Sequence, residues 1–499
     1  MAINKTASGR KPRPRESKKK PIEFCDHKDK KRAYNPPVGL VTPETDPDAG
    51  RPKLDDGSRV AVLGGGPAGS FFAYFLLAFA ERVGVEIEVD LYEARDFSRP
   101  APHGCNMCGG IISESLVQTL AAEGINLPRT VVQRGIDSYV LHTDEGTVRI
   151  ATPLDEKRIG AVHRGSGPRD IEEPMLDSFD GHLLRLAVEK GACLIPAKVA
   201  EVTRNDGRPQ VKARDGSIQT YDLLAVATGV NAGKNLFADW DFGYRPPATT
   251  KTYIQECRLG EETVNRVMGN SMHVFLADIP RLAFAAIIPK GDYVTICLLG
   301  AGVDDALVKS FLHSPMVREC MPAGWDVNLR SCHCFPRINV RGAVEPFADR
   351  LVFIGDCAVT KLYKDGIGSA YRTAKAAART AVFRDVSADS FRRFYLPLCK
   401  AIARDNLVGK FQFAVARRIQ KRRVARRTIL RMTAGEQRKE GRRPRMSMVL
   451  WDMFTGSASY GEIFKRALRP AFLCSLLWNF GCCLLHPRAI GGVRRGSDG

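Results

Sequence analysis

The chain has 499 residues with an ordinary hydrophobic share of 44%. That is enough to bury a full core, which excludes a scaffold dependent on staples and predicts two or three domains. The 75 Lys and Arg outnumber 55 Asp and Glu, a net charge of +20, and point to an anionic partner, either a membrane surface or nucleic acid. The 14 cysteines lack two Cys-x-x-Cys pairs at zinc-ribbon spacing, which predicts free thiols in a reducing compartment and no metal.

Met1 to Lys31 is a Lys/Arg/Pro/Ser-rich run with little to bury and no apolar signal core, and it reads as a disordered tail. Its bland reading is a solvated solubility arm. A Pro/Asp-rich linker continues to Gly57, so residues 1–57 precede the folded chain. The run Val60–Gly69, V-A-V-L-G-G-G-P-A-G, then takes a short apolar strand into glycines and a helix. Gly64 permits the tight turn, Gly66 leaves room for a pyrophosphate against bare backbone, and Gly69 lets helix and strand pack closely. Pro67 and Ala68 open the helix, whose N-terminal amides carry partial positive charge. Glu86–Tyr92 alternates as a second strand, and Glu93 closes it with a carboxylate suited to ribose hydroxyls and hostile to a 2′-phosphate. Strand, turn, helix, strand and carboxylate in order predict adenine-dinucleotide binding. Arg95 is a candidate to lie over the adenine.

His163–Arg169 is a polar, glycine-rich loop that reads either as a substrate or cofactor-phosphate contact or as a solvated turn. Far downstream, Leu351–Asp356 (L-V-F-I-G-D) is another buried strand, ending in Gly355-Asp356, and Lys364–Ala370 (K-D-G-I-G-S-A) opens another helix. An Asp at a strand end suits a ribitol hydroxyl, which FAD has and NAD lacks. Amides near Gly366, Ile367 and Gly368, at a helix N-terminus, suit the reduced flavin's negative charge. The two motifs together predict FAD. Between them, Tyr363 is a candidate proton relay beside Lys361 and Lys364.

Beyond the second motif, apolar residues at 407, 411, 415 and 419 form an i, i+4 stripe followed by Arg417, Arg418, Lys421, Arg422, Arg423, Arg426, Arg427 and Arg431. A basic amphipathic helix of this kind suits an anionic membrane. Ala471–Leu485 is uncharged and apolar but shorter than the roughly 20 residues that span a bilayer. It reads as a segment dipping into one leaflet with Trp478 near the interface, or as a buried helix. Peripheral contact at the cytoplasmic face is the expectation. No single-strand platform or recognition-helix motif supports nucleic acid.

With these motifs stand S-F-D-G-H-L-L-R-L-A-V-E-K-G-A (Ser178–Ala192), D-L-L-A-V-A-T-G (Asp222–Gly229) and A-F-A-A-I-I-P-K-G-D, which ends at Asp292. The ordered set, over roughly residues 58 to 385, resembles the geranylgeranyl reductase branch of the p-hydroxybenzoate hydroxylase-type flavoproteins. The resemblance implies an α/β fold: a doubly wound, Rossmann-like FAD-binding domain, discontinuous in sequence, an inserted α+β substrate domain whose sheet roofs the flavin, and a helical C-terminal region. The corresponding boundaries are 58–240 and 346–390 for the FAD-binding domain, 241–345 for the substrate sheet and 391–499 for the helical region.

The resemblance also implies reduction of C=C bonds in a long apolar, isoprenoid substrate, with NAD(P)H or a ferredoxin as electron donor. It places Cys108-Gly109 near the flavin ring, with Cys108 as proton donor and Cys105 as support. A dithiol switch, half of a metal site and plain loop packing stay open for these cysteines. The chain departs from the family where Ile287-Ile288-Pro289 replaces an aromatic and L-Y-K-D-G-I-G replaces a proline-rich loop. Two rival functions remain: an oxygen-consuming monooxygenase or halogenase on the same fold, and a prenyl-binding protein without redox chemistry, against which the intact Gly64, Gly66, Gly69, Glu93 and Asp356 set argues.

Overall fold

The computed structural model describes residues 51–100, 105, 108–152, 159–168, 177–231, 236–237, 242–326, 331–438 and 444–485. Residues 1–50 of the basic tail and linker, His103, Gly104, Asn106, Met107 and Arg169 lie outside the described residues.

Strand β1 (Ser58–Leu63) is apolar on both faces because both are covered, with Val60 to Leu63 buried, as in a central parallel strand. It pairs in parallel with β2 (Ile87–Tyr92) on one side and with Leu223–Val226 on the other. Leu351–Phe353 extends the same sheet in parallel beyond Leu223–Val226. The strand order across this six-stranded sheet is Phe347–Ala348, Leu351–Phe353, Leu223–Val226, β1, β2, Cys193–Ile195. The strand of the second glycine motif therefore lies two places from the first in the same sheet. Helix α1 (Pro67–Val83) ends where Gly84 turns left-handed at φ +73° and its N–H reaches Ala80 and Glu81. Phe71 and Phe75 of α1 meet Tyr371 edge-on, with ring centres at 5.7 and 5.5 Å, and clamp α1 to Gly366–Phe383.

The second sheet has seven strands in the order His333–Cys334, Tyr253–Arg258, Tyr293–Gly300, Leu282–Lys290, Ser271–Phe275, Ser138–Thr143, Gly146–Ala151. Its pairings are antiparallel except that of Ser271–Phe275 with Ser138–Thr143. One face, with Ile254, Met272, Ala286, Ile288 and Cys297, packs towards the Cys108 turn and C-terminal helices. The other packs Phe275, Ile287 and Ile296 against Asp305–Leu312 and its neighbours.

On that second face His142 and His273 form a buried pair with ring nitrogens 3.0 Å apart, and Phe275 stacks on His142. One ring donates and the other accepts, and burial favours the neutral form of both. Cys320 lies close enough to complete a metal-type triad, but its thiol points into backbone carbonyls of Met316 and Val317.

The C-terminal region is not a separate appendage. Trp451 is fully buried and stands edge-on over Tyr139 of the seven-stranded sheet, at 4.8 Å. The basic helix expected from the 407–419 stripe differs from the expectation in two ways. It breaks at Lys421, where Leu396–Gln420 gives way to Arg423–Gln437. Arg426 and Arg427 then turn inward to the acidic corner Asp144-Glu145, with ion pairs of 2.5 Å, and Arg423, itself exposed, reaches Glu145 at 2.6 Å. The first half of the stripe faces outward, leaving Leu407 and Phe411 exposed, while Val415 is half-buried and Ile419 packs against the core of the seven-stranded sheet. The apolar helix Pro470–Leu485 is mostly exposed too: Leu477, Trp478 and Leu485 are 68, 73 and 78% accessible, and only Phe472 and Cys483 are buried. Among the described residues no single helix is long and apolar enough to cross a membrane. Tyr460–Ala467 and Pro470–Leu485 together are, but with a 66° bend.

Burial lowers His142 to about 4 and His273 to about 3 from the ordinary 6.5. The unfolded chain takes up protons below pH 6.5 that the folded pair refuses, so this contribution is present above 6.5 and lost as pH falls towards 4. For His142 alone the loss is on the order of 3 kcal/mol. Urea midpoints should fall between pH 6.5 and 4.5, and more steeply in the parent than in His142→Gln/His273→Gln. Parallel curves would refute the assignment.

Candidate functional site

The site is built where β1 ends. Gly64 has φ +103°, and a Cβ there would meet the Ala227 carbonyl oxygen at 2.7 Å. At Gly69 a Cβ would overlap the Gly64 carbonyl oxygen, so the turn closes only on hydrogen. Gly66 is the opposite case: its nearest neighbour within 4 Å is the Arg164 guanidinium, at 3.8 Å. Bare backbone therefore faces open space at the first turn of α1, where helix amides attract phosphate. Pro67 and Ala68 are buried beneath it.

Glu93 is buried at the end of β2. One carboxylate oxygen accepts from Gly65 N–H at 3.0 Å and the other from Arg95 N–H at 2.8 Å. A carboxylate accepts about four hydrogen bonds, which leaves lone pairs for ribose hydroxyls. The Arg95 guanidinium lies over Phe97, 5.0 Å from the ring centre.

The second motif closes on the first through one contact. Gly355 has φ +62°, and a Cβ there would lie 2.6 Å from the Ala68 Cβ, so only glycine seats this strand end on α1. Thr373 accepts from Gly355 N–H at 2.9 Å and holds the strand end to the following helix. Asp356 follows; burial pushes its carboxyl up while the Arg164 charge draws it down. The helix Gly366–Phe383 begins at Asp365, whose φ is +51° and whose carboxylate binds Arg372 at 2.7 Å and Lys361 at 3.4 Å. A Cβ at Gly366 would touch nothing within 4 Å, so the amides of this helix start are also open to a ligand. Ile367 is buried behind them, and at Gly368 a side chain would strike the Asp365 carboxylate.

Two residues not singled out as cofactor ligands complete the cradle. Arg164 Nε and Nη2 donate to Asp180 at 3.0 and 2.6 Å, a bidentate pair that holds the guanidinium charged. Arg164 lies beside Gly66 and feels the charges of both Asp356 and Cys108. Asp180 is positioned because Ser178 caps its helix, accepting from Gly181 N–H, and donates to the Arg164 carbonyl. The polar loop at His163 marked the region in sequence, but pairing Arg164 with Asp180 required the fold.

On the roof side, the Cys108 sulfur accepts from Gly110 N–H at 3.4 Å. A Cβ at Gly109 would lie 3.1 Å from Ile288 and 3.9 Å from the Cys297 sulfur, so the Cys-Gly-Gly turn presses onto the seven-stranded sheet. Cys105 hydrogen-bonds the Cys334 thiol on the edge strand and raises it. That gives Cys105 a partner other than the Cys108 it was expected to support.

Tyr363 takes φ +58° and packs edge-on against Phe413 of the C-terminal helices, at 5.0 Å, and burial raises its phenol. Burial, with Lys361 nearby, lowers Lys364 to about 7. Its amine donates to the carbonyls of Asp452 and Ala458 and lies 4.1 Å from the Tyr460 ring centre. The loop between Asp356 and Gly366 is thus fastened to the C-terminal helices.

These residues fit an adenine dinucleotide with a ribitol chain. Two open helix starts supply amides, Glu93 suits ribose, Asp356 suits ribitol, and Arg164 adds a cation beside the first glycine turn.

No family profile and no curated protein matches the chain. Solved structures do share its fold. A geranylgeranyl bacteriochlorophyll reductase-like protein from Thermoplasma acidophilum superposes with a TM-score of 0.55 at 15% identity, over 85% of this chain and 99% of that one. A flavoprotein/dehydrogenase from Cytophaga hutchinsonii gives 0.53 at 13%, over 86% of this chain and 100% of that one. The halogenase PltM gives 0.53 at 12%, over 87% and 93%. The fold is thus one this chain shares with a reductase-like protein, a flavoprotein/dehydrogenase and a halogenase.

Two glycine substitutions separate cofactor space from fold. Gly66→Val should leave the melting temperature of the protein without FAD nearly unchanged and weaken FAD binding roughly a hundredfold, about 2.7 kcal/mol, because the side chain enters the open phosphate space. Gly69→Ala should instead destabilise the fold by about 1–3 kcal/mol through overpacking. Calorimetric melting and flavin titration check both. Equal losses of stability in the two variants would contradict the geometry.

Proposed function

We propose that this chain is an FAD-dependent oxidoreductase that reduces C=C bonds of a long apolar, isoprenoid substrate at the cytoplasmic face of a membrane. The observation that carries the redox reading is the meeting of both glycine motifs at one sheet edge beside the Cys-Gly-Gly turn. When bound and reduced, by NAD(P)H or a ferredoxin-type donor, FAD supplies hydride. Arg164 and the two helix starts hold the cofactor's anionic groups, and Asp356 its ribitol. Ile254, Ala286 and Ile288 offer an apolar roof for a hydrocarbon chain and keep water out. Cys108 holds the proton that goes to the alkene carbon, with Tyr363 as the other candidate donor.

The apolar substrate and the surface support each other. Leu477, Trp478, Leu484 and Leu485 project from Pro470–Leu485, and Lys465 and Arg469 lie exposed at its start. An apolar helix of this size beside cations suits immersion in the interface of an anionic leaflet.

The neighbouring halogenase favours a second reading on the same fold, an oxygen-dependent monooxygenase or halogenase. One experiment separates them. The purified protein should be yellow, bleach with anaerobic dithionite, and recover its colour with saturated product on addition of a polyprenyl lipid. Recovery only in air would select the oxygen-dependent reading, and absence of flavin after added FAD would remove both. Cys108→Ala should retain flavin and lose at least tenfold in turnover; full turnover would release Cys108 from the role. Flotation with phosphatidylglycerol vesicles should recover the parent and lose Leu477→Asp/Trp478→Asp. Equal flotation would refute the helix as the membrane contact.

A further inference from the structure

Lys290 ends the strand Leu282–Lys290 and has no solvent exposure, yet its ammonium has no hydrogen-bond partner among the described residues. A buried charge without close partners is costly, and such lysines ordinarily lose the charge or face a group that uses it. The nearest carboxylate is Glu256, at 3.9 Å, and Glu256 is itself held by Thr295 Oγ1, which donates to it at 2.8 Å. All three side chains belong to the face of the seven-stranded sheet that carries Cys297.

The ammonium is aimed at the Cys-Gly-Gly turn. Residue 110 must be glycine because φ is +68° and a Cβ would overlap the Val162 carbonyl oxygen; that Cβ position also lies 2.9 Å from Lys290 Nζ, so the ammonium reaches the turn. The Gly110 N–H binds the Cys108 sulfur, which puts that sulfur and the Lys290 ammonium around one residue. The charged and titratable groups facing this point are Glu256 and Cys297 from neighbouring strands, His163 after Ile159–Val162, and Arg164. Burial and then the Lys290 charge hold His163 neutral. Cys297 is pushed up to about 12, first by burial and then by Cys108, with Lys290 pulling the other way. Arg164 is held by a bidentate pair with Asp180, whereas Lys290 has only the longer contact to Glu256.

We infer that Lys290 is a positioning residue for Cys108: its buried ammonium stabilises negative charge on the sulfur from beneath the Cys-Gly-Gly turn. This rests on the reading of Cys108 as proton donor. In that step the S–H bond breaks, its electron pair stays on sulfur, and the proton forms a C–H bond on the alkene. The two reducing electrons arrive with the hydride, drawn from the NAD(P)H or ferredoxin-type donor. The thiolate left behind faces Lys290 until a proton from water restores it. In a low-dielectric site one cation within several ångströms is enough to change thiolate population about tenfold or more.

The test is site-resolved alkylation of the flavin-loaded protein by iodoacetamide at pH 7.5, read by mass spectrometry, with exposed Cys474 as internal reference. Lys290→Met and Lys290→Gln should slow Cys108 about tenfold relative to Cys474, and Lys290→Arg should restore most of the rate. Unchanged Cys108 reactivity in a folded Lys290→Met or Lys290→Gln protein overturns the inference. If neither folds, the pH dependence of alkylation in the parent decides: a Cys108 rate whose rise with pH has a midpoint no lower than that of Cys474 also overturns it. Turnover of Cys108→Ala reports separately on the proton-donor reading, so slowed alkylation with full turnover would leave Lys290 assigned and remove Cys108 from the chemistry.

Discussion

The approach of Gly355 to Ala68 is the constraint on which the rest depends. Two strands distant in sequence must end at the same level of one parallel sheet, with no side chain between the second strand end and the first helix. Once they do, the helices that follow present open N-terminal amides along one edge, and the Phe71–Phe75–Tyr371 cluster locks them together. Helix dipoles and backbone amides then form a preorganised anion site that needs no further rearrangement.

The roof is shaped by the opposite requirement. The seven-stranded sheet shows the FAD-binding side a mostly apolar face, and on it lies a small polar group: Lys290, Glu256 and Thr295. Such a group is stable only if its members satisfy one another or a ligand. Its position under the Cys-Gly-Gly turn places this charged group close to the Cys108 thiol. The His142–His273 pair, on the other face, shows the quieter solution: two neutral rings sharing one proton and asking nothing of a ligand.

The C-terminal helices join these parts to the surface. Trp451 seals the roof sheet, Tyr460 donates to the Leu362 carbonyl, and Lys364 ties the flavin-side loop to Asp452 and Ala458. The exposed helix Pro470–Leu485 therefore continues a region packed against the site.

Much of this was legible in the residues alone. The β1 turn, Glu93, Asp356 and the Gly366 helix start are local patterns, since glycine spacing and strand ends are dictated by backbone geometry within a few residues. The apolar character of 471–485 was equally plain. The arginines after the 407–419 stripe were not, because Asp144 and Glu145, which pair with three of them and draw Arg426 and Arg427 inward, are remote in sequence. Nor was the pairing of Arg164 with Asp180, of Cys105 with Cys334, or of Lys290 with the Cys108 turn. The sequence by itself determined the cofactor-type motifs and the parallel sheet that carries them. Only the tertiary structure decided which charges are buried together, because burial and partner choice belong to contacts between segments and not to any one of them.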